Sequence, residues 1–150
     1  MNLADRAETF LGKGIMEVSG PSSHPQILTW IQRTEKMYPS DTPIDDSQYA
    51  WCGVFVGNMV LDDIAAGNKL RLKPPGYFQG AARWKKWGVA VPFNETKRGD
   101  VVILTRKGGH HVAILSSPMT GGLNVVGGNQ SNKVSIAPYL WHSVVDVRRG

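Results

Sequence analysis

Apolar positions recur every three or four residues through the first half of the chain and gather into short strand-like runs through the second. Leu3, Ala7, Phe10 and Leu11 share one helical stripe, and a second amphipathic segment opens with Ser23 ahead of Pro25 and continues through Ile27, Leu28, Trp30 and Ile31. The polar stretch between Met37 and Tyr49, with Pro39, Pro43 and the pair Asp45-Asp46, reads as a loop. A third helix follows it, with Cys52, Phe55, Val56, Met59, Val60 and Ile64 on one face and Gly67-Asn68 as its stop. Cys52 falls in the first turn of that helix.

Pro74-Pro75-Gly76 interrupts the chain, and a short helical stretch from Gln79 to Trp87 carries Trp84 and Trp87 three residues apart. Strand signals then take over. Val101–Leu104 and His111–Leu115 flank a tight reversal at Lys107-Gly108-Gly109, and Gly121-Gly122 reverses the chain again into Leu123–Val126. Lys133–Ile136 and Val144–Arg148 make about five strands in all. Helices first and an antiparallel sheet second predict an α+β fold with segregated layers in one domain spanning 1–150, without internal repeats.

With 150 residues and 41% hydrophobic positions, the chain is long enough to build a core without a disulfide or metal staple. Its single cysteine cannot form an internal disulfide, and no Cys-His zinc spacing can be assembled from it, so neither metal nor cofactor is expected. No stretch approaches a membrane span, and Asp5, Arg6 and Glu8 stand where a signal peptide would be apolar. The expectation is therefore synthesis in the cytoplasm, as a monomer. A net charge of +5 favours approach to polyanions, but the basic residues are scattered, which reads as a solvated basic face and not as a specific nucleic-acid site.

The chemistry centres on Cys52. The unpaired N–H groups and positive dipole end of a helix N-terminus favour a thiolate and supply a donor for an oxyanion, with Gln48 or Tyr49 from the preceding loop as further candidates. A thiol nucleophile needs a base. His24 at a helix entrance and His142 in a late connection suit caps or surface, which leaves His110 and His111. Adjacent strand residues face opposite ways, so only one of the two can face the cysteine helix, and periodicity does not choose. Asn129, in Gly127-Gly128-Asn129-Gln130, has a side chain able to orient an imidazole.

Four ordered segments give the sequence a resemblance. Tyr49-Ala50-Trp51-Cys52-Gly53-Val54-Phe55-Val56, Arg98-Gly99-Asp100-Val101-Val102, Gly109-His110-His111-Val112-Ala113-Ile114 and Gly127-Gly128-Asn129-Gln130-Ser131-Asn132 resemble papain-like NlpC-type and CHAP-type cell-wall hydrolases, over roughly residues 1–148. The closest look is to a compact subgroup common in phages and prophages. The resemblance implies a papain-like fold and a peptidoglycan amidase or endopeptidase without cofactor. It matches Cys52 to the nucleophile, and the histidine immediately before the Val-Ala-Ile strand selects His111. Where CHAP-type members carry a Glu two residues ahead of an Asn, this chain has Gly127, which leaves Asn129 as the orienting residue and Gln130 as its possible substitute.

Bacterial peptidoglycan is then the expected partner, reached after release by another system, as in phage lysis or in a secreted antibacterial effector. Two rivals keep the same frame. One is a non-catalytic wall-binding module, for which the five tryptophans could supply sugar-stacking surfaces. The other is an acyltransferase, which passes the acyl group from the thiolate to an amine.

Overall fold

The computed structural model describes residues 1–18, 24–40 and 50–150. Helix α1 (Leu3–Glu8) starts on a capping box between Asn2 and Asp5 and ends before the predicted stripe does, since Gly12 and Gly14 turn the chain at φ 72° and 68°. Phe10 and Leu11 still pack on the core. Helix α2 (Pro25–Met37) has Pro at its first position, and its cap is His24, whose Nδ1 accepts the Gln26 N–H at 3.1 Å. Ser23 lies outside the described residues.

Helix α3 (Cys52–Ala65) is central, and every residue from Cys52 to Val60 is buried. Gly53 and Gly57 allow this, because a Cβ at either would collide with the backbone or ring around Phe78. Asn58, buried within the same helix, donates its amide to Val54 O at 2.8 Å and to Thr34 Oγ1 at 3.2 Å, so the polar group sits in the core with partners. The Gln79–Trp87 stretch contains a 3₁₀ segment, Ala81–Lys86.

The sheet has six strands among the described residues, one more than the sequence predicts: β1 (Val89–Ala90), β2 (Val101–Arg106), β3 (Gly109–Met119), β4 (Gly122–Gln130), β5 (Lys133–Leu140) and β6 (Val144–Arg149). Their order is β1-β6-β2-β3-β4-β5, all antiparallel. The meander β2 to β5 follows the chain, whereas β6 returns to the free edge of β2 and carries β1 outside it. Two residues are too few for alternation to announce β1.

Both faces of the central strands are buried. Val101, Ile103, Val112, Ile114 and Val126 pack with the helices, and Val102, Leu104, Ala113, Leu115 and Val125 form a second cluster on the other face. Trp30, Trp51, Trp84 and Trp87 are all buried, and Trp141 is half-buried and stacked on Phe93. The tryptophans expected as stacking surfaces in the wall-binding rival are thus mostly core. The basic face is likewise less open than charge alone implies. Arg6 and Arg71 hold Asp63, Arg98 reaches Asp5 and Glu8, and Arg149 forks onto buried Asp100 at 2.7 Å through two nitrogens. Among the described residues no helix is long and apolar enough to cross a membrane.

Candidate active site

Cys52 is the first residue of α3, with Trp51 as the cap. Glu17 accepts the Trp51 indole N–H at 2.9 Å, and the Glu17 N–H donates to Asn132 O at 2.7 Å, which ties the N-terminal segment, the start of α3 and the β4–β5 turn together. Burial pushes the Cys52 thiol above the ordinary cysteine range. The Val112 backbone N–H, the Arg106 charge and the N–H groups of Gly53 and Cys52 itself pull it the other way. The lowering expected from the helix N-terminus is present as a force but is outweighed by desolvation, so the resting cysteine is a thiol.

His111 is fully buried in β3. Its Nε2 lies 2.9 Å from Gln130 Oε1, and the Gln130 amide nitrogen donates to Ser135 O at 2.6 Å and Val125 O at 3.4 Å. With that nitrogen held by two carbonyls, Gln130 presents its oxygen to the imidazole. Nε2 therefore carries the proton and Nδ1 the lone pair. Arg106 agrees with this tautomer, donating from Nη1 to His111 Nδ1 at 3.1 Å and from Nη2 to Asn129 O at 2.7 Å. Burial lowers the His111 pKa to about 4, the Gln130 hydrogen bond opposing this and the Arg106 charge adding to it. The imidazole is neutral at pH 7.

The two residues expected at the orienting position occupy different places. Gln130 reaches the ring with its side chain, while Asn129 contributes its backbone carbonyl to Arg106 and lines the cavity beside Cys52. The cause is a register shift in β4 between Gly127 and Gln130. Gly127 faces Ala113, on the His111 face, and Gly128 faces Trp51 and Phe55 on the helix side. Strict alternation would return Asn129 to the His111 face. Instead Asn129 adopts φ 57°, an extra residue is absorbed, and Gln130 turns to that face. Both glycines clear space for this, since a Cβ at Gly127 would lie 2.9 Å from Gln130 Oε1 and one at Gly128 2.7 Å from the Trp51 ring.

A cavity of about 400 Å³ opens over Cys52, lined also by Arg106, Lys107, His110, Asn129 and Asn132. His110 is exposed at its rim, whereas His111 is buried outside the lining, on the sheet face it shares with Ala113 and Leu115 and not on the face packed against α3, and it meets the cavity through Arg106. Tyr139 covers the His111 ring at 6.0 Å between centroids, a partner the sequence did not single out. Arg106 stands in the sequence as one of the scattered basic residues. Its position opposite Gly109 across a two-residue hairpin turn was the available signal, because that pairing brings it beside the start of β3. Gln48, Tyr49 and the pair Asp45-Asp46 lie outside the described residues. A groove of about 440 Å³ between Leu11–Met16 and β5 is larger, but among the described residues no cysteine, histidine or carboxylate lines it. Among the described residues no group of three His, Cys, Asp or Glu could hold a metal ion.

No family model matches the chain, and no curated protein matches it. Among solved structures it is similar to a mutant of the resuscitation promoting factor interacting protein RipA, at 16% identity and a TM-score of 0.45, with 98% of this chain and 81% of that one covered. It is similar to Rv1477, described as a hypothetical invasion protein of Mycobacterium tuberculosis, at 17% identity, a TM-score of 0.45 and the same coverage. The chemistry of the site rests on the residues and distances above.

Proposed function

We propose that this chain is a cysteine hydrolase that cleaves an amide bond in the peptide part of bacterial peptidoglycan. The observation that carries the reading is the tautomer that Gln130 imposes on His111, which leaves Nδ1 unprotonated as a base, next to a chain whose following peptide N–H meets the Cys52 sulfur. The four motif segments that resemble NlpC-type and CHAP-type hydrolases supply the substrate class.

In this reading Nδ1 of His111 takes the thiol proton as Cys52 Sγ attacks the amide carbonyl carbon. The N–H groups at the start of α3 face the developing oxyanion. The C–N bond breaks, His111 returns the proton to the leaving amine, and a thioester remains. Water then attacks that thioester, His111 takes one of its protons and passes it to the sulfur as the C–S bond breaks, and free Cys52 and a carboxylic acid result, the acid losing its proton to solvent. Gln130 keeps the ring and its tautomer fixed throughout. The bond cut is that of an endopeptidase or of an N-acetylmuramoyl-L-alanine amidase, and a phage lysis enzyme reaching the wall through a separate release system is the setting that fits the compact phage-like motif pattern. The acyltransferase alternative uses the same steps with an amine in place of water.

Mass spectrometry of fragments released from purified peptidoglycan tests this. The expected products carry new amino groups and intact glycan. New reducing sugar ends, the mark of chemistry that commonly uses paired carboxylates, would overturn the reading.

A further inference from the structure

The His111 nitrogen that must act as base is covered in this structure. Arg106 Nη1 stands 3.1 Å from Nδ1, and the same guanidinium holds Asn129 O at 2.7 Å through Nη2. Both acceptors are neutral. Among the described residues this is exceptional for an arginine here: Arg6, Arg33, Arg71, Arg98, Arg148 and Arg149 are each paired with a carboxylate, and Arg83 lies over the Tyr77 ring. Arg106 is exposed and lines the cavity with Cys52, with Lys107 beside it and no carboxylate among the described residues of the lining. A guanidinium forks onto a carboxylate with bonds roughly twice as strong as those to neutral acceptors.

We propose that Arg106 is a carboxylate-binding residue and a gate: a substrate carboxylate beside the scissile amide draws the guanidinium off His111, and the uncovered Nδ1 then takes the Cys52 proton. The substrate class is thereby narrowed to peptides with a free carboxylate within reach of the cleaved bond, and their carboxamide counterparts are poor substrates. This rests on Cys52 and His111 acting as proposed above. Arg106 is a specificity and positioning residue, since it acts on the base and not on the reacting carbonyl. The gate also shields the thiol: until an anion arrives, the imidazole that would activate Cys52 is occupied.

The single cysteine makes alkylation a report on Cys52 alone. With iodoacetate or iodoacetamide, Sγ bonds to the CH₂ carbon, iodide leaves and the thiol proton passes to base, so the two reagents differ only in carrying a carboxylate or a carboxamide. Rates are divided by those of free cysteine and expressed as the iodoacetate-to-iodoacetamide ratio. The wild type should exceed Arg106→Gln by roughly five- to tenfold, while Lys107→Gln lowers the ratio less than about twofold. Equal ratios in wild type and Arg106→Gln, or an equal fall in both variants, overturn the proposal. Should Arg106→Gln not fold, the wild type decides: acetate occupying Arg106 must lower the iodoacetate-to-iodoacetamide ratio more than sodium chloride does at the same ionic strength, and an equal change in the ratio overturns the proposal.

The gate is read separately from the His111 Nδ1 resonance in ¹⁵N spectra. It should move on addition of acetate and not of chloride, and a resonance indifferent to acetate refutes the gate. Neither measurement needs turnover. A raised ratio in a protein that cuts no amide removes the proposed function and keeps the subsite, whereas amide cleavage with no ratio difference does the reverse.

Discussion

The Gln130 side chain accepts the Nε2–H of His111 at 2.9 Å, although alternation along the strand points to Asn129 for that place. The amide is held in this sense by Ser135 O and Val125 O, so the imidazole has one tautomer available.

It follows that Gln130→Ala should lower kcat/KM by about 10- to 100-fold, the usual cost of removing a group that orients a functional histidine. Asn129→Gly keeps the backbone carbonyl that holds Arg106 and suits φ 57°, so it should change kcat/KM less than about threefold. Steady-state kinetics on a soluble peptidoglycan fragment makes the comparison. A large loss at Asn129 with a small one at Gln130 would put the orienting role back where alternation suggests.

How much of this was readable in advance follows from how local each signal is. The stripe from Cys52 to Ile64 and the glycine turns between β2, β3 and β4 depend on neighbours in sequence, and they appear where the pattern predicts. The return of β6 to β2 depends on pairings between residues 40 to 47 apart, which periodicity does not encode. At Gly127-Gly128-Asn129-Gln130 the composition announced a turn, but the bulge that moves the functional side chain by one residue is a backbone event. The protonated thiol departs from the sequence expectation for another reason. The helix N-terminus is visible in sequence, but the burial of α3 at Cys52, with the desolvation it brings, is tertiary.

The two neighbouring histidines separate cleanly. His111→Ala should cost about 10²- to 10⁴-fold in kcat, because it removes a positioned base, and His110→Ala at the exposed rim should stay within about threefold. Since both Cys52 and His111 are neutral at rest, the pH 6 alkylation rate of Cys52 by iodoacetamide should be low in the wild type and little changed in His111→Ala. A large kcat loss at His110→Ala alone would instead make the imidazole that lines the cavity the base.

His111 also makes stability depend on pH. The unfolded imidazole takes a proton near its ordinary 6.5 and the folded one only near about 4, so the unfolded state binds more protons between these values. Stability contributed by the neutral buried ring is complete above pH 6.5 and is lost as pH falls toward 4, by roughly 3 kcal/mol at most. Urea unfolding at pH 7, 5.5 and 4.5 should show this slope in the wild type and a flatter one in His111→Asn. Equal slopes in the two proteins would show that the ring is not held neutral.

The central claim is that Cys52 is the nucleophile and not a packing residue. The most direct measurement is primary-amine release from purified peptidoglycan by Cys52→Ala beside the wild type, with circular dichroism and a melting curve on the same samples. The account predicts a folded variant, within about 1–2 kcal/mol of wild-type stability, that releases no amine above the buffer control. A folded Cys52→Ala that releases amines at the wild-type rate would contradict it.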